Sequence, residues 1–197
     1  GALELAGARA VPFRVWVDRA GNAEPLPLAP ASYLYPRISP DGRTLAVEIE
    51  GPNPDFYFYD LARGILSRIT TDGMSHDPVW ARDGKTLAFR SWLAGGMTMW
   101  LMAADRSGKP VRLDPTGTRQ SPVSFSPDGR EVTFVRYNEK AKESYVVVAA
   151  VDGTAEKILL TRKDREGLSQ GLVWSPDGKF IAYEAMDSTP TSIEGNC

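Results

Sequence analysis

Chemistry-bearing residues are scarce in this chain. Its 197 residues include one cysteine, Cys197, and one histidine, His76. A lone cysteine excludes an internal disulfide and any multi-cysteine zinc site. At the last position it closes a polar stretch, 189–197, that reads as a flexible tail outside the fold. No uninterrupted apolar run approaches the ~20 residues of a membrane span. The N-terminus has no charged segment leading into an apolar one, the mark of a signal peptide. Gly1 stands where an initiator Met would, which leaves room for an upstream signal, anchor or domain. A formal net charge of −2 supplies no basic field, so nucleic acid is not an expected partner. What remains, 42% hydrophobic and 24% charged residues, is the composition of an ordinary globular core.

A repeat is present. The quartets Ser39 to Gly42, Ala81 to Gly84, Ser126 to Gly129 and Ser175 to Gly178 read SPDG, ARDG, SPDG and SPDG, with aspartates at 41, 83, 128 and 177. Between them a second series, Asp18, Asp60, Asp105 and Asp152, closes apolar runs and is followed by glycine at 21, 64, 108 and 153. From this second series to the next quartet aspartate the distance is 23, 23, 23 and 25 residues; from the quartet onward it is 19, 22 and 24. Length variation is therefore concentrated in one half of the repeat.

The quartet is a turn for physical reasons. Proline presets φ at the first corner, aspartate bonds its own backbone, and glycine supplies a left-handed position leading into the next strand. Three residues before each aspartate stand Ile38, Trp80, Phe125 and Trp174; four and six residues after it come Leu45, Leu87, Val132, Ile181 and Val47, Phe89, Phe134, Tyr183. Between the last two sets lie Ala46, Ala88, Thr133 and Ala182. Alternation of large and small residues predicts a strand buried on both faces, with neighbouring sheets ~10 Å away. A third strand per unit is aromatic or β-branched, at 13–17, 56–59, 98–101 and 145–148. The fourth, at 25–28, 65–70, 110–113 and 156–161, is polar and in places begins with a proline that only an edge strand tolerates. Four antiparallel strands every 40 to 50 residues predict an all-β chain of β-propeller blades. A β-sandwich is the structural alternative, but it does not require the same turn, aromatic and small residue to recur in register.

Three units are complete, at 36–70, 78–114 and 121–161, and 1–188 is expected to form one propeller. The half-units 12–28 and 171–186 supply complementary strand pairs for a fourth blade. That blade closes within one chain as a four-bladed ring or between two chains as an eight-bladed one. The modest Ala and Thr faces favour the homodimer.

The stretches PRISPDGRTLAVE, PVWARDGKTLAFR, PVSFSPDGREVTFV and LVWSPDGKFIAYE resemble the TolB-type, WD-like propeller repeat over nearly all of 12–186. VWVDRAGNAEPLP and DFYFYDLARGILSRIT resemble, more narrowly, propeller regions attached to bacterial serine/threonine kinases, although no kinase signature occurs here. The resemblance implies a bacterial recognition platform, periplasmic, otherwise extracytoplasmic or cytoplasmic. Related propellers also gate prolyl-oligopeptidase-type peptidases, but the Gly-x-Ser-x-Gly elbow of the hydrolase domain is absent. In the second quartet Ala81 and Arg82 replace Ser and Pro, so its turn should be looser.

Function is expected on the face opposite the quartets, where the variable loops lie: 50–55, 92–97 and 138–144 within units, 71–77, 114–121 and 161–170 between them. His76, beside Asp77 at the start of an innermost strand, is the leading candidate for a ligand, metal or acid-base contact. Tyr35, Gln120 and Gln170 stand near the corresponding places and offer hydrogen bonds. Asp72, Asp77, Asp114, Asp164 and Glu166 are oxygen donors suited to Ca²⁺, without EF-hand spacing. The expected function is a non-catalytic recognition or assembly module for a protein, peptide or small ligand. The alternatives are a hydrolase of lactones, esters or phosphotriesters built on a divalent metal, Ca or Zn, in the central channel, and a structural fragment with no ligand of its own.

Overall fold

In the computed structural model, residues 15–93, 95–113, 119–163 and 171–183 are described. They form sixteen strands and no helix. The first pair is β1 (Val15–Val17) and β2 (Ala23–Pro25). Three antiparallel sheets of four follow, each in sequence order. The first holds β3 (Tyr33–Ile38), β4 (Thr44–Ile49), β5 (Asp55–Asp60) and β6 (Ile65–Arg68). The second holds β7 (Ser75–Trp80), β8 (Thr86–Ser91), β9 (Thr98–Ala103) and β10 (Val111–Arg112). The third holds β11 (Arg119–Phe125), β12 (Glu131–Asn138), β13 (Glu143–Ala150) and β14 (Glu156–Arg162). A last pair is β15 (Val173–Trp174) and β16 (Ile181–Ala182). We call the three complete sheets blades 1 to 3. Their first strands, β3, β7 and β11, lie side by side and are innermost, and β15 continues that row beside β11.

Sheets stack because the large residues of one face meet the small residue of the sheet before it. Ala46 of blade 1 is packed with Leu87 and Phe89 of blade 2. Ala88 of blade 2 shares a cluster with Phe125, Val132 and Phe134 of blade 3. Phe56 meets Phe89 at 5.3 Å between ring centroids, and Phe58 stacks on Trp80 at 5.1 Å, so the aromatic run of blade 1 also packs against blade 2. Leu26 and Leu28, beyond β2, close the other face of blade 1 against Leu45 and Val47.

In the quartet turns, Ser39 Oγ donates to Asp41 Oδ1 at 2.6 Å and accepts the Thr44 N–H at 2.9 Å, and the turns at Ser126 and Ser175 repeat this. Where alanine replaces serine these bonds are missing, yet the turn closes through Gly84 N–H to Ala81 O at 3.0 Å, with Gly84 at φ +68°. The second quartet is thus backbone-closed like the others and lacks only the side-chain bracket. The fourth strand is short in blades 1 and 2 but seven residues long in blade 3. All strands of that blade are longer, which accounts for the widest repeat interval.

Strands β1–β2 and β15–β16 form separate two-stranded sheets at opposite ends of the row. Among the described residues neither pair touches the other.

Candidate functional site

Innermost strands of blades 1 and 2 do not run straight. Their register slips between Leu34 and Arg37 and between His76 and Val79. The bulged residues include Tyr35 (φ +48°) and Asp77 (φ +52°), each followed by proline. A residue before proline is normally driven to an extended conformation, and non-glycine residues in the left-handed region are strained by ~1 kcal/mol or more. Both lie six residues before their quartet aspartate, so the strain is a repeated feature of the fold. Bulges of this kind re-aim side chains.

What the second bulge aims is a polar cluster that crosses between blades. Glu48, near the end of β4, is buried, and its Oε1 lies 2.9 Å from His76 Nδ1. A carboxylate there only accepts, which puts the proton on Nδ1. Glu48 Oε2 also accepts the Asp77 N–H, at 3.4 Å. Asp77 is buried on the same bulge with Oδ2 2.7 Å from Arg90 Nε. The contact is close, but the N–H does not point at the oxygen, and both carboxylate oxygens lack a hydrogen bond among the described residues. Burial pushes the Asp77 carboxyl above its ordinary range, with Glu48 adding to the shift and Arg90 only partly opposing it. Arg90 Nη1 reaches Ser121 Oγ of blade 3 at 3.5 Å. Three blades are thereby tied together around the innermost strands.

A second network fixes the loop that leads to His76. Asp55, fully buried at the start of β5, accepts from the Arg68 guanidinium, from Thr70 Oγ1 at 2.7 Å and from the Gly73 N–H at 3.2 Å. Gly73 has φ +69°, and a Cβ there would stand 3.0 Å from Asn53 Cβ, so glycine is required on two counts. Asp72 accepts from Ser75 Oγ at 2.7 Å and from Ser91 Oγ. Ser91 Oγ in turn accepts the Leu93 N–H at 3.1 Å.

The residues singled out from sequence fall into different surroundings. Tyr35 is partly exposed at its bulge; His76 is largely covered, and Asp77 is buried. Gln120 has no exposure at all, and its Oε1 accepts the Met99 N–H at 3.0 Å, so it joins blade 3 to blade 2. Gln170 lies outside the described residues, as do Asp114, Asp164 and Glu166. Asp72 spends both oxygens on serines. Among the described residues no three His, Cys, Asp or Glu side chains converge as a metal site needs. Glu48 and Arg90 are the residues that sequence reasoning missed. Their signal was a charge seven residues after the quartet aspartate, at the end of an otherwise apolar strand.

Comparison with known proteins follows the blades. A family model described as "TolB beta propeller domain" matches residues 20–194. A TolB homolog of Chlorobium chlorochromatii (strain CaD3) is 35% identical over 103 residues, covering 52% of this chain and 23% of the relative. The uncharacterized peptidase YuxL of Bacillus subtilis (strain 168) is 25% identical over 177 residues, 87% of this chain and 25% of the relative. The chain thus spans about a quarter of the length of these curated relatives. Among solved structures, TolB from Acinetobacter baumannii superposes with a TM-score of 0.70 at 21% identity, covering 87% of this chain and 42% of that one. A putative TolB from Agrobacterium tumefaciens gives 0.66 at 23% identity, covering 85% and 63%. The two structures show the fold; none of these matches carries the narrower likeness to kinase-attached propellers. No helix among the described residues is long and apolar enough to cross a membrane. With 20–194 matched by that family's model and three complete blades built on the repeated turn, the chain belongs to the TolB beta propeller domain family.

Proposed function

We propose that the chain is a recognition module that binds a protein or peptide through its variable-loop face, around the innermost strands of blades 1 and 2. The observation that carries this reading is the pair of strained residues, Tyr35 and Asp77, at equivalent bulges. Strain of this kind persists where surrounding structure over-determines it, and it concentrates at binding sites. Here the cluster of Glu48, His76 and Arg90 does the holding. Tyr35 is the exposed contact and His76 the partly open one; Asp77 sets their frame. The quartet face does not compete, because its aspartates are spent on turn hydrogen bonds.

Panning a random peptide library against the chain tests it. Selected peptides should lose at least tenfold in affinity against Tyr35→Ala or His76→Ala and none against Asp152→Ser on the opposite face. Equal binding by all three variants would sink the reading.

Ring closure is a separate proposal. Among the described residues β15–β16 is a two-stranded sheet, and β1–β2 of a second copy would complete it as a four-stranded blade. Exposed Val17, Val173 and Phe180 on these pairs support such a homodimer.

A further inference from the structure

Met74, Trp92 and Leu93 are each nearly half exposed, at 46%, 45% and 48%. They belong to two different loops, one joining blade 1 to blade 2 and one inside blade 2, yet the fold brings them to one place. Ser75 and Ser91 are paired partners at the end of the β7–β8 ladder, so Met74 and Trp92 are the first residues past that end on either side. Asp72 holds both serines, and Ser91 in turn holds the Leu93 N–H. Gly95, at φ +77°, folds the loop back by donating to Trp92 O at 2.9 Å. On the other flank the Gly73 N–H is bound by buried Asp55. The three apolar side chains thus sit on a backbone braced from two blades. A scattered exposed leucine needs no explanation; a braced cluster of Trp, Leu and Met does.

The charge around this cluster is predominantly negative. Carboxylates at this end of blades 1 and 2 are Glu48, Glu50, Asp55, Asp72 and Asp77, against the guanidiniums of Arg37, Arg68 and Arg90. Glu50 is exposed, and Asp72 is partly so. In the corresponding loop of blade 3, Glu139 and Glu143 stand with Lys140 and Lys142, and Arg119 at the start of β11 leaves that end without an acidic excess. A positively charged partner is therefore drawn toward blades 1 and 2 rather than toward blade 3.

We infer that Met74, Trp92 and Leu93 form a docking surface for a partner protein's peptide segment that carries an apolar anchor flanked by lysine or arginine. This deepens the proposed recognition function and rests on it. Trp92 supplies the large rigid contact that dominates such interfaces, Met74 adapts to the anchor's shape, and exposed Glu50 receives the flanking cations.

Three fluorescein-labelled decapeptides provide the test: leucine with lysine, leucine with glutamate, and serine with lysine. Fluorescence polarisation is read on the parent chain, on Trp92→Ser/Leu93→Ser, and on Val111→Ser, an exposed apolar position of an outer strand. The leucine–lysine peptide should bind the parent at least tenfold more tightly than the other two. It should lose at least tenfold on the double variant and nothing on Val111→Ser, and it should weaken from 0.05 to 0.5 M salt, roughly a threefold shorter screening length. Equal binding of the leucine–glutamate peptide, or unchanged binding to the double variant, would overturn the inference. If the leucine–lysine peptide ignores the double variant but fails on Tyr35→Ala, recognition stands and this surface falls. If the parent binds none of the three, this surface falls, and the library panning judges the broader reading on its own. Circular dichroism of the double variant should match the parent, since both side chains are exposed.

Discussion

Glu48 Oε1 and His76 Nδ1 lie 2.9 Å apart, joining the second strand of blade 1 to the first strand of blade 2. The contact is nearly closed to solvent on the glutamate side and ties together two sheets that share no ladder hydrogen bonds. Replacing Glu48 by Ala leaves His76 Nδ1 and the Asp77 N–H without their acceptor, a cost of about 1–3 kcal/mol. Glu48→Gln keeps an acceptor oxygen and should cost less. Urea unfolding midpoints of the two variants check this; equal losses would mean that only packing, not the hydrogen bond, matters there.

Asp77 gives the site a pH signature. Because burial raises its folded pKa above the unfolded value, the native state holds a proton longer than the unfolded chain does. The full contribution is therefore present below the unfolded value, near 3.8, and is lost as pH rises through the folded one. Asp77→Asn removes this term, and asparagine tolerates the left-handed φ of +52°. The melting temperature of Asp77→Asn minus that of the parent should become more positive as pH climbs from 4 toward neutrality. A difference that stays flat or falls would show that Arg90 holds the ionised carboxylate better than its geometry suggests.

The quartet aspartates behave in the opposite sense. Hydrogen bonds from Ser39, Ser126 and Ser175 lower the carboxyls of Asp41, Asp128 and Asp177. Their contribution is present above the unfolded value of about 3.8 and fades as pH falls through the depressed folded values. Ala81→Ser should install the missing bracket in the second turn and stabilise the chain by about 0.5–1.5 kcal/mol at neutral pH. The gain should shrink below pH 4, as read by denaturant titration at both pH values.

Gly73 carries the brace of the exposed cluster. Gly73→Ala meets both the positive φ and the 3.0 Å approach to Asn53 Cβ, so a loss of about 1–3 kcal/mol is expected. Gly51, with no atom near its missing Cβ and no positive φ, is the control. Hydrogen exchange should rise at residues 72–75 and 91–93 in Gly73→Ala alone.

Ring closure is checked by mass. Light scattering should give twice 21.6 kDa if two chains exchange half-blades. Phe180→Glu, at a site 71% exposed and held by Thr44, Thr86 and Glu131 in the complete blades, should then return the monomer. A monomeric parent would sink the two-chain ring.

How much of this was legible in advance differs by level. The quartet turns, the large and small strand faces and the four-strand period are local, because they depend on φ preferences and on alternation along one strand. Leu45, Ala46 and Val47 announced their two packed faces without any knowledge of the neighbouring sheet. His76 and Asp77 were legible as unusual residues, but their partners were not: Glu48 and Arg90 come from other strands, and hydrogen bonds between blades leave no trace in the periodicity of either. Gln120 looked like an offered amide and proved to be a buried acceptor for Met99, because only packing decides which face of a strand meets the next blade. The same holds for Asp72, whose carboxylate suited a cation in sequence and holds two serines in space. By itself the sequence determined the four-strand period, strand order and turn chemistry, which are written in neighbouring residues. Tertiary structure alone decided which polar groups are desolvated together and which apolar ones are held out to solvent, since both depend on residues far apart in the chain meeting across blades.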